Sequence, residues 1–503
     1  MSDVSSLLEE LAGDAVQLWV EGGTLKYRAP AGALTPQRLH AIRTAKQELT
    51  QVLLQRLAAR LHPPEVTGAE AVWLPTSGQR HVARLPVPVH MHDIAYLARE
   101  VIPSQVSDAV NKIVERHSVL RTVYAQNQSG ELWAATEHTR RIEVECIDLT
   151  HLTGSQQETQ ARMLALARVR EPFDLVRGPQ LRITLLKGAR DVWMRIVVVH
   201  HSIFDRVSSL IFFRELAMLS DPPSHRHRNE LHAMPVQFRD HARRQNVWLD
   251  STEAHSLLVQ WRHKLESVRR PFWLPVDRHS PFDDNTVTPL TTGMNRRVNA
   301  LRELAKDRKS TLFVIALTVF AVLLSRWSGE SDVLIWNFHA GRDEPELKDA
   351  IGLYADCMLL KAHLDSALMF HDAVDEVHRA YVEALASRGL PPLLLRPLLR
   401  GSGRAVSPSA TFNFLPFAHP ATGAPPVTRE EPRLDWVPMP GRFPAASPFG
   451  LMFVMIERAE AIEWTLQHQS ALFEDETIGA FSRRYNAALE TIVTHPAAPI
   501  AEL

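Results

Sequence analysis

The chain has 503 residues, 45% hydrophobic and 22% charged, which suits a globular protein of two to four domains. A formal net charge of -1 and a pI near 7.1 give no reason to expect a nucleic-acid or membrane protein at the whole-chain level. Two cysteines, Cys146 and Cys357, are too few for a disulfide framework and fit a reducing cytoplasm; Met1-Ser2-Asp3-Val4 also lacks the basic and apolar regions of a signal peptide.

Residues 1–60 read as a small separate module. Ser5 to Leu11 has helical spacing, Val16, Leu18 and Val20 alternate with polar neighbours, and Gly22-Gly23 marks a hairpin turn before Leu25-Lys26-Tyr27-Arg28. Thr35 is a good helix cap with Pro36 behind it, and Leu39, Ile42, Leu49, Val52, Leu53 and Leu57 carry the helical period onward. So small a core is marginal, so this module suits binding better than chemistry. Residues 61–69, with His62-Pro63-Pro64-Glu65, read as a linker.

From residue 70 strands and helices mix, first over 70–240 and then over 241–503. The pattern predicts a helix over 106–116, strands over 132–136, 142–147, 181–186 and 192–199, and a helix over 208–219. Helices over 300–306 and 311–327, strands over 333–337 and 358–363 and a helix over 370–386 follow. Strands over 411–415, 451–456 and 463–467 and a helix over 477–494 close the chain. Thr311 to Leu324 is the most apolar stretch, too short to span a membrane, and reads as a buried helix. Pro and Gly thicken between 417 and 450, which predicts long loops. Two mixed α/β lobes with a cleft between them fit this order.

The most informative residues are His200-His201-Ser202-Ile203-Phe204-Asp205, directly after the apolar run Arg195 to Val199. Adjacent residues on a strand point to opposite faces, which lets one histidine pack while the other faces a channel. An imidazole there suits proton transfer, with Asp205 marking the turn out of the strand. No HExxH and only two cysteines leave metal binding well behind, so no metal is expected.

Several stretches together resemble the condensation domains of nonribosomal peptide synthetases. Arg116-His117-Ser118-Val119-Leu120-Arg121-Thr122, Pro172-Phe173-Asp174-Leu175 with Gly178-Pro179 and Leu181-Arg182, and the double-histidine segment through Asp205 carry the first half of the likeness. Gln237-Phe238-Arg239-Asp240, Leu274-Pro275-Val276-Asp277-Arg278, Ala340-Gly341-Arg342 with Pro345-Glu346-Leu347 and Ile351-Gly352, Phe412-Asn413-Phe414 and Ser447-Pro448-Phe449 carry the rest. The likeness runs from about residue 70 to 500. Residues 1–60 resemble a β-hairpin docking domain through Leu18-Trp19, Gly22-Gly23, Leu25 to Pro30 and Leu34-Thr35-Pro36.

The resemblance implies an α/β fold of two chloramphenicol-acetyltransferase-like lobes in a V arrangement, preceded by a small α-β-β-α-α docking domain. It implies acyl transfer from a phosphopantetheine thioester, supplied on a carrier protein and not bound by this chain as a cofactor of its own. His201 corresponds to the catalytic histidine, and His200 to its inward-facing structural partner. Asp205 corresponds to an architectural residue, expected to pair with Arg342. Asn413 matches a polar position near the active site, as an acceptor-positioning group or a strand-end hydrogen bond. Arg206 stands where the family usually has Gly, and narrows the pantetheine channel or shifts the loop, grips an acceptor carboxylate, or turns into solvent. Lys26 and Arg28 would meet the C-terminal linear motif of an upstream acyl or peptidyl carrier protein, or serve as ordinary edge charges.

Within the resemblance, the retained histidines argue against heterocyclisation domains, and the Gly341-Arg342 and Ile351-Gly352 pattern argues against epimerisation domains. A coenzyme A-dependent acetyltransferase of this architecture would be about half as long. A catalytically dead docking scaffold stays open because of Arg206. So does an excised domain with a carrier-bound aminoacyl acceptor. The preferred expectation is a monomeric cytoplasmic chain-release enzyme of natural product assembly that forms an ester or amide on a small-molecule acceptor.

Overall fold

The computed structural model describes residues 4–503 without 5–6, 9, 12–15, 22–23, 30–32, 86–88, 98–100, 190–191, 221–230, 232–233, 235, 267, 269–273, 279–285, 400–409, 416–442 and 445–449. The expected glycine turn at 22–23, most of the expected 417–450 loops and Ser447-Pro448-Phe449 lie outside the described residues, as does the Arg28 side chain.

The N-terminal module is an antiparallel hairpin, β1 (Gln17–Glu21) and β2 (Thr24–Arg28), backed by α1 (Pro36–Thr44) and α2 (Lys46–Leu61). The Thr35 side chain accepts from Arg38 N and Pro36 opens α1, so both sequence signals do their physical job. Val4, Leu8, Leu11, Val16, Ile42 and Leu49 form its core. Leu18 and Leu25 pack on that core, whereas Trp19 and Lys26 sit opposite each other on the outer face, both exposed.

The first lobe holds two sheets. One takes β3 (Ala69–Trp73), β5 (Thr122–Gln126) and β6 (Leu132–Glu137) in the order β3-β6-β5. The other takes β4 (His90–Leu97), β7 (Val144–Asp148), β8 (Leu181–Lys187) and β9 (Trp193–His200) in the order β4-β9-β8-β7. Around them lie α3 (Ser77–Ala83), α4 (Pro103–Arg116), α5 (Gly154–Arg170) and α6 (Arg206–Ser220). Helix α4 shows why: Pro103 fits its first turn, and Val106, Ala109, Val110, Ile113 and Val114 form one apolar stripe.

After α7 (Phe238–Leu249) and α8 (Thr252–Glu266), the second lobe is built on a seven-stranded sheet. Its strands are β10 (Thr286–Asn295), β11 (Asp332–His339), β12 (Asp356–His363), β13 (Ala410–Leu415), β14 (Phe443–Pro444), β15 (Leu451–Glu457) and β16 (Ile462–Gln469), in the order β12-β11-β13-β15-β16-β10-β14. Helices α9 (Val298–Asp307), α10 (Leu312–Ser328), α11 (Phe370–Ala386), α12 (Pro392–Leu399) and α13 (Asp475–Thr494) complete it. The apolar Thr311–Leu324 stretch becomes α10, capped by the Thr311 hydroxyl, ended by Gly329 in the left-handed region, and buried on nearly every side. Truncating a fully buried side chain there, such as Leu317 to Ala, costs about 2–5 kcal/mol. No single helix among the described residues is long and apolar enough to cross a membrane.

Two segments tie the lobes together. Leu347, Ala350, Ile351, Leu353 and Tyr354, between β11 and β12, pack into the core of the first lobe. Helix α7 contributes Phe238 and Ala242 to that same core while Trp248 packs on the other, so the expected boundary at 240/241 falls inside one helix. The junction has no room to spare: a Cβ on Gly352 would meet the Phe238 ring at 2.0 Å, and one on Gly341 (φ +62°) would meet the Tyr354 carbonyl oxygen at 2.0 Å.

Candidate active site

Strand β9 is buried along most of its length, with Ile196 to Val199 enclosed between helices on both faces. It ends at His200, not at His201. A 3-10 turn over His201–Ile203 follows, so the strand-alternation argument does not place His201; the turn does. The His201 amide is fixed by the Val89 carbonyl at 2.9 Å. Its Nδ1 lies 2.7 Å from the Phe204 carbonyl oxygen. A carbonyl only accepts, so Nδ1 carries the hydrogen and Nε2 presents a lone pair. The residue is half-buried. This is the tautomer a proton acceptor needs.

His200 is buried, and its Nδ1 lies 2.8 Å from Ser202 Oγ, which donates to Gln180 Oε1 at 2.9 Å; Gln180 in turn donates to the Thr122 carbonyl. Burial pushes its pKa down to about 3, with His90 and His201 adding to the effect, so the ring is neutral at ordinary pH. His90 faces it across the β4–β9 ladder, with ring centroids 5.9 Å apart. The Ser202 carbonyl receives Gln79 Nε2 at 3.0 Å. Gln79 is held by a reciprocal cap with Thr76 at the start of α3.

Asp205 is fully buried and satisfied by donors from both lobes. Oδ1 accepts from Ser208 N and Ser208 Oγ at 2.8 Å each and from Arg342 Nη2 at 2.9 Å. Oδ2 accepts from Arg342 Nη1 at 2.8 Å and from the Tyr354 and Ala355 amides at 3.0 Å. The bidentate guanidinium also lies over the Tyr354 ring at 4.4 Å. Asp205 thus caps α6 and links the His201 turn to the second lobe.

Arg206 opens α6, exposed, with no hydrogen bond or ion pair within 4 Å among the described residues. Desolvation at the base of the turn lowers its pKa although the residue is exposed, and Asp93, whose charge opposes that shift, is already held by Arg195 at 3.0 Å. Asn413 is half-buried on β13, and its amide makes no hydrogen bond among the described residues. The geometry therefore brings His200, His201, Asp205 and Arg342 together. Lys26, exposed on the hairpin, belongs to a separate surface.

Other motif residues hold the scaffold. His117 and Arg116 both bind the buried Glu215, at 2.9 and 3.1 Å. Arg121 donates to three backbone carbonyls. Arg182 stacks over Phe173 at 3.9 Å. Sequence reasoning missed Gln79, Gln180, Ser202 and Ser208. Gln79 and Gln180 reach Ser202 from 123 and 22 residues away, which no local pattern marks, whereas Ser202 and Ser208 contact their near neighbours His200 and Asp205. It also missed Asp356, whose carboxyl burial pushes up to about 7 and which accepts the Cys357 amide at 2.8 Å.

The family model described as condensation domain matches residues 89–503, and the TubC N-terminal docking domain model matches residues 4–55. Phosphinothricin tripeptide synthetase PhsC of Streptomyces viridochromogenes is 30% identical over 419 residues, 81% of this chain and 37% of that protein. Chondramide synthase cmdD of Chondromyces crocatus is 27% identical over 403 residues, 78% of this chain and 10% of that protein. The chain thus spans little more than a third of the first of these relatives and a small part of the second. Among solved structures, the X-domain from teicoplanin biosynthesis, in complex with OxyB, aligns with a TM-score of 0.71 at 21% identity, covering 88% of this chain and 98% of that one. The condensation domain that mediates chain release from the enacyloxin polyketide synthase aligns with a TM-score of 0.63 at 20% identity, covering 98% of this chain and 97% of that one. The chain belongs to the condensation-domain family of acyltransferases, which form amide or ester bonds, and carries an N-terminal docking domain of the TubC type.

Proposed function

We propose that this chain moves an acyl, polyketidyl or peptidyl group from a carrier-bound phosphopantetheine thioester to an amine or alcohol, with His201 as the catalytic residue. One observation carries the reading: His201 Nδ1 is spent on the Phe204 carbonyl, so Nε2 is the free base at the junction of the lobes. Nε2 takes the proton from the attacking N–H or O–H as the new C–N or C–O bond forms at the thioester carbonyl. Collapse of the adduct breaks the C–S bond, and the proton passes to the leaving thiolate. An alcohol depends on this base more than an amine, because it stays protonated at neutral pH. His200, neutral and hydrogen-bonded, shapes the turn, and the Asp205–Arg342 pair holds it against the second lobe.

The donor arrives on a carrier protein whose C-terminal linear motif docks at the hairpin, near Lys26 and Arg28. In the favoured setting the acceptor is a soluble small molecule, so the step releases the finished chain. The bare Arg206 guanidinium beside the turn supports an acceptor with a free α-carboxylate, which in a carrier-bound aminoacyl acceptor is tied up as the thioester. The protein works as a monomer in the cytoplasm.

The test is intact-mass spectrometry of an acyl-loaded carrier protein mixed with this chain and a panel of soluble amines and hydroxy acids, with His201→Ala as control. Loss of acyl mass from the carrier, with a His201-dependent ester or amide, supports the reading. Docking without transfer to soluble or carrier-bound acceptors sinks it in favour of a scaffold.

A further inference from the structure

We propose that Thr411 and Asn413 form a recognition stripe for the arm of the acceptor, with the Thr411 hydroxyl reading a hydrogen-bonding group a few bonds from the nucleophile. The inference rests on the acyl-transfer reading above.

Strand β13 lies in the middle of the second lobe's sheet. One face is closed by helices: Phe412 packs on Phe320 of α10 and stacks on Phe453 of β15. Thr411 and Asn413 point to the other face. Thr411 lies level with Trp336 of β11 and Met452 of β15, and Asn413 lies level with Val454. Their direct strand neighbours on that face are apolar, and the next polar side chains across the sheet are Thr465 and Gln467 of β16. Thr411 is fully buried, and its Oγ1 has no hydrogen-bond partner among the described residues. A buried, unsatisfied hydroxyl lowers stability, and a valine of the same shape would avoid the loss. The hydroxyl therefore suits a partner that arrives with substrate.

The position fits the acceptor. Strands β11 and β13 run in parallel, and β11 leads through Ala340-Gly341 to Arg342, which grips Asp205 in the His201 turn. The C-terminal end of β13 is thus the end towards the turn. Asn413 is nearer to it, and Thr411 lies one strand repeat deeper, about 6.6 Å away. A nucleophile held beside Asn413 would send its arm along the stripe, past the half-buried Asn413 side chain, and reach the hydroxyl as the flexible, half-buried Met452 side chain beside it swings aside. The matching substrate class is an amine or alcohol bearing a hydroxyl or amide on its arm. A site that hydrogen-bonds such a group rejects the analogue lacking it.

L-homoserine and L-norvaline differ only by exchange of a terminal hydroxyl for a methyl. The free amino acids, which keep the carboxylate that Arg206 would meet, serve as probes. Binding of each to the full chain is measured by calorimetry, for the native sequence, Thr411→Val and Thr411→Ser. The native protein and Thr411→Ser are expected to favour the homoserine probe by about tenfold, the size of one good hydrogen bond. Thr411→Val is expected to lose that preference while melting at a higher temperature. An unchanged ratio in Thr411→Val, or no binding of either probe, overturns the proposal. A higher melting point with an unchanged ratio means the hydroxyl is only an unsatisfied core group. Acyl transfer with the His201→Ala control runs in parallel. Absent transfer with the binding preference intact counts against the acyl-transfer reading and not against the stripe.

Discussion

The turn after β9 and the N-terminal hairpin both present polar side chains, and they treat them in opposite ways. At the turn, six donor contacts converge on one buried carboxylate, and the imidazole's Nδ1 is fixed by a carbonyl. At the hairpin, Lys26 and Trp19 stand exposed, opposite each other on a two-stranded sheet with open edges. The turn gains precision from saturation: the Asp205 carboxylate and the Nδ1 of His201 are both held, which leaves Nε2 as the nitrogen available to exchange a proton. The hairpin keeps its partners unmade, as a surface that must find them on another chain. In the proposed reading, chemistry and recognition thus sit on separately built units, which lets one change without the other.

The largest expected effect separates the two. His201→Ala should leave docking and melting temperature nearly unchanged while lowering acyl transfer about 10²–10⁴-fold, the usual share of a positioned acid–base group. Single-turnover transfer from an acyl-loaded carrier measures it. A loss of docking in this variant would show that the two units are coupled after all.

Asp205→Ala should act through stability instead. Removing one partner of a buried pair leaves an uncompensated Arg342 and costs roughly 3–5 kcal/mol. Denaturant unfolding should register this directly, and activity should fall with it although His201 is untouched. An Asp205 variant of native stability that is nonetheless inactive would assign the carboxylate a direct chemical role.

The contrast also explains what the sequence made legible. Helix α10, strand β9 and the Thr35 cap are local, and their periodicity and cap residues are plain in the chain. The His201 turn was recognisable from motif likeness, but its tautomer depends on a carbonyl three residues later, and the strand-face argument fails because the strand stops one residue early. Gln180 and Gln79 reach the turn from 22 and 123 residues away, which no local pattern announces. Thr411 was equally invisible: only the folded sheet buries its hydroxyl without a partner among the described residues.

Asp356 sharpens the picture of the lobe junction. It follows Ala355, whose amide binds Asp205, and burial lifts its carboxyl from the ordinary range to about 7. The folded state therefore favours the protonated form. Between the ordinary carboxylate range and about pH 7 the unfolded chain ionises while the folded one resists, so stability falls as pH rises through that window and stays lowered above it. Asp356→Asn should raise the melting temperature by a few degrees at pH 8 and hardly at all at pH 4. Equal shifts at both values would mean the carboxyl titrates normally.

The smallest effect belongs to the hairpin. Lys26 is exposed, so any contact with an acidic tail is screened by salt and contributes on the order of 0.2–1 kcal/mol. Lys26→Glu doubles that change by replacing attraction with repulsion, and should weaken carrier binding several-fold at low ionic strength and much less at 0.5 M salt, where the Debye length falls well below 10 Å. Trp19, 39% exposed beside it, offers an apolar contact that salt does not screen. Trp19→Ala should therefore weaken binding by a similar factor at both salt concentrations. Fluorescence anisotropy of a labelled carrier tail, titrated with each variant, distinguishes the two contributions. If neither substitution changes binding while His201-dependent transfer continues, the carrier is being recruited by the catalytic lobes, and the division of labour between turn and hairpin does not hold.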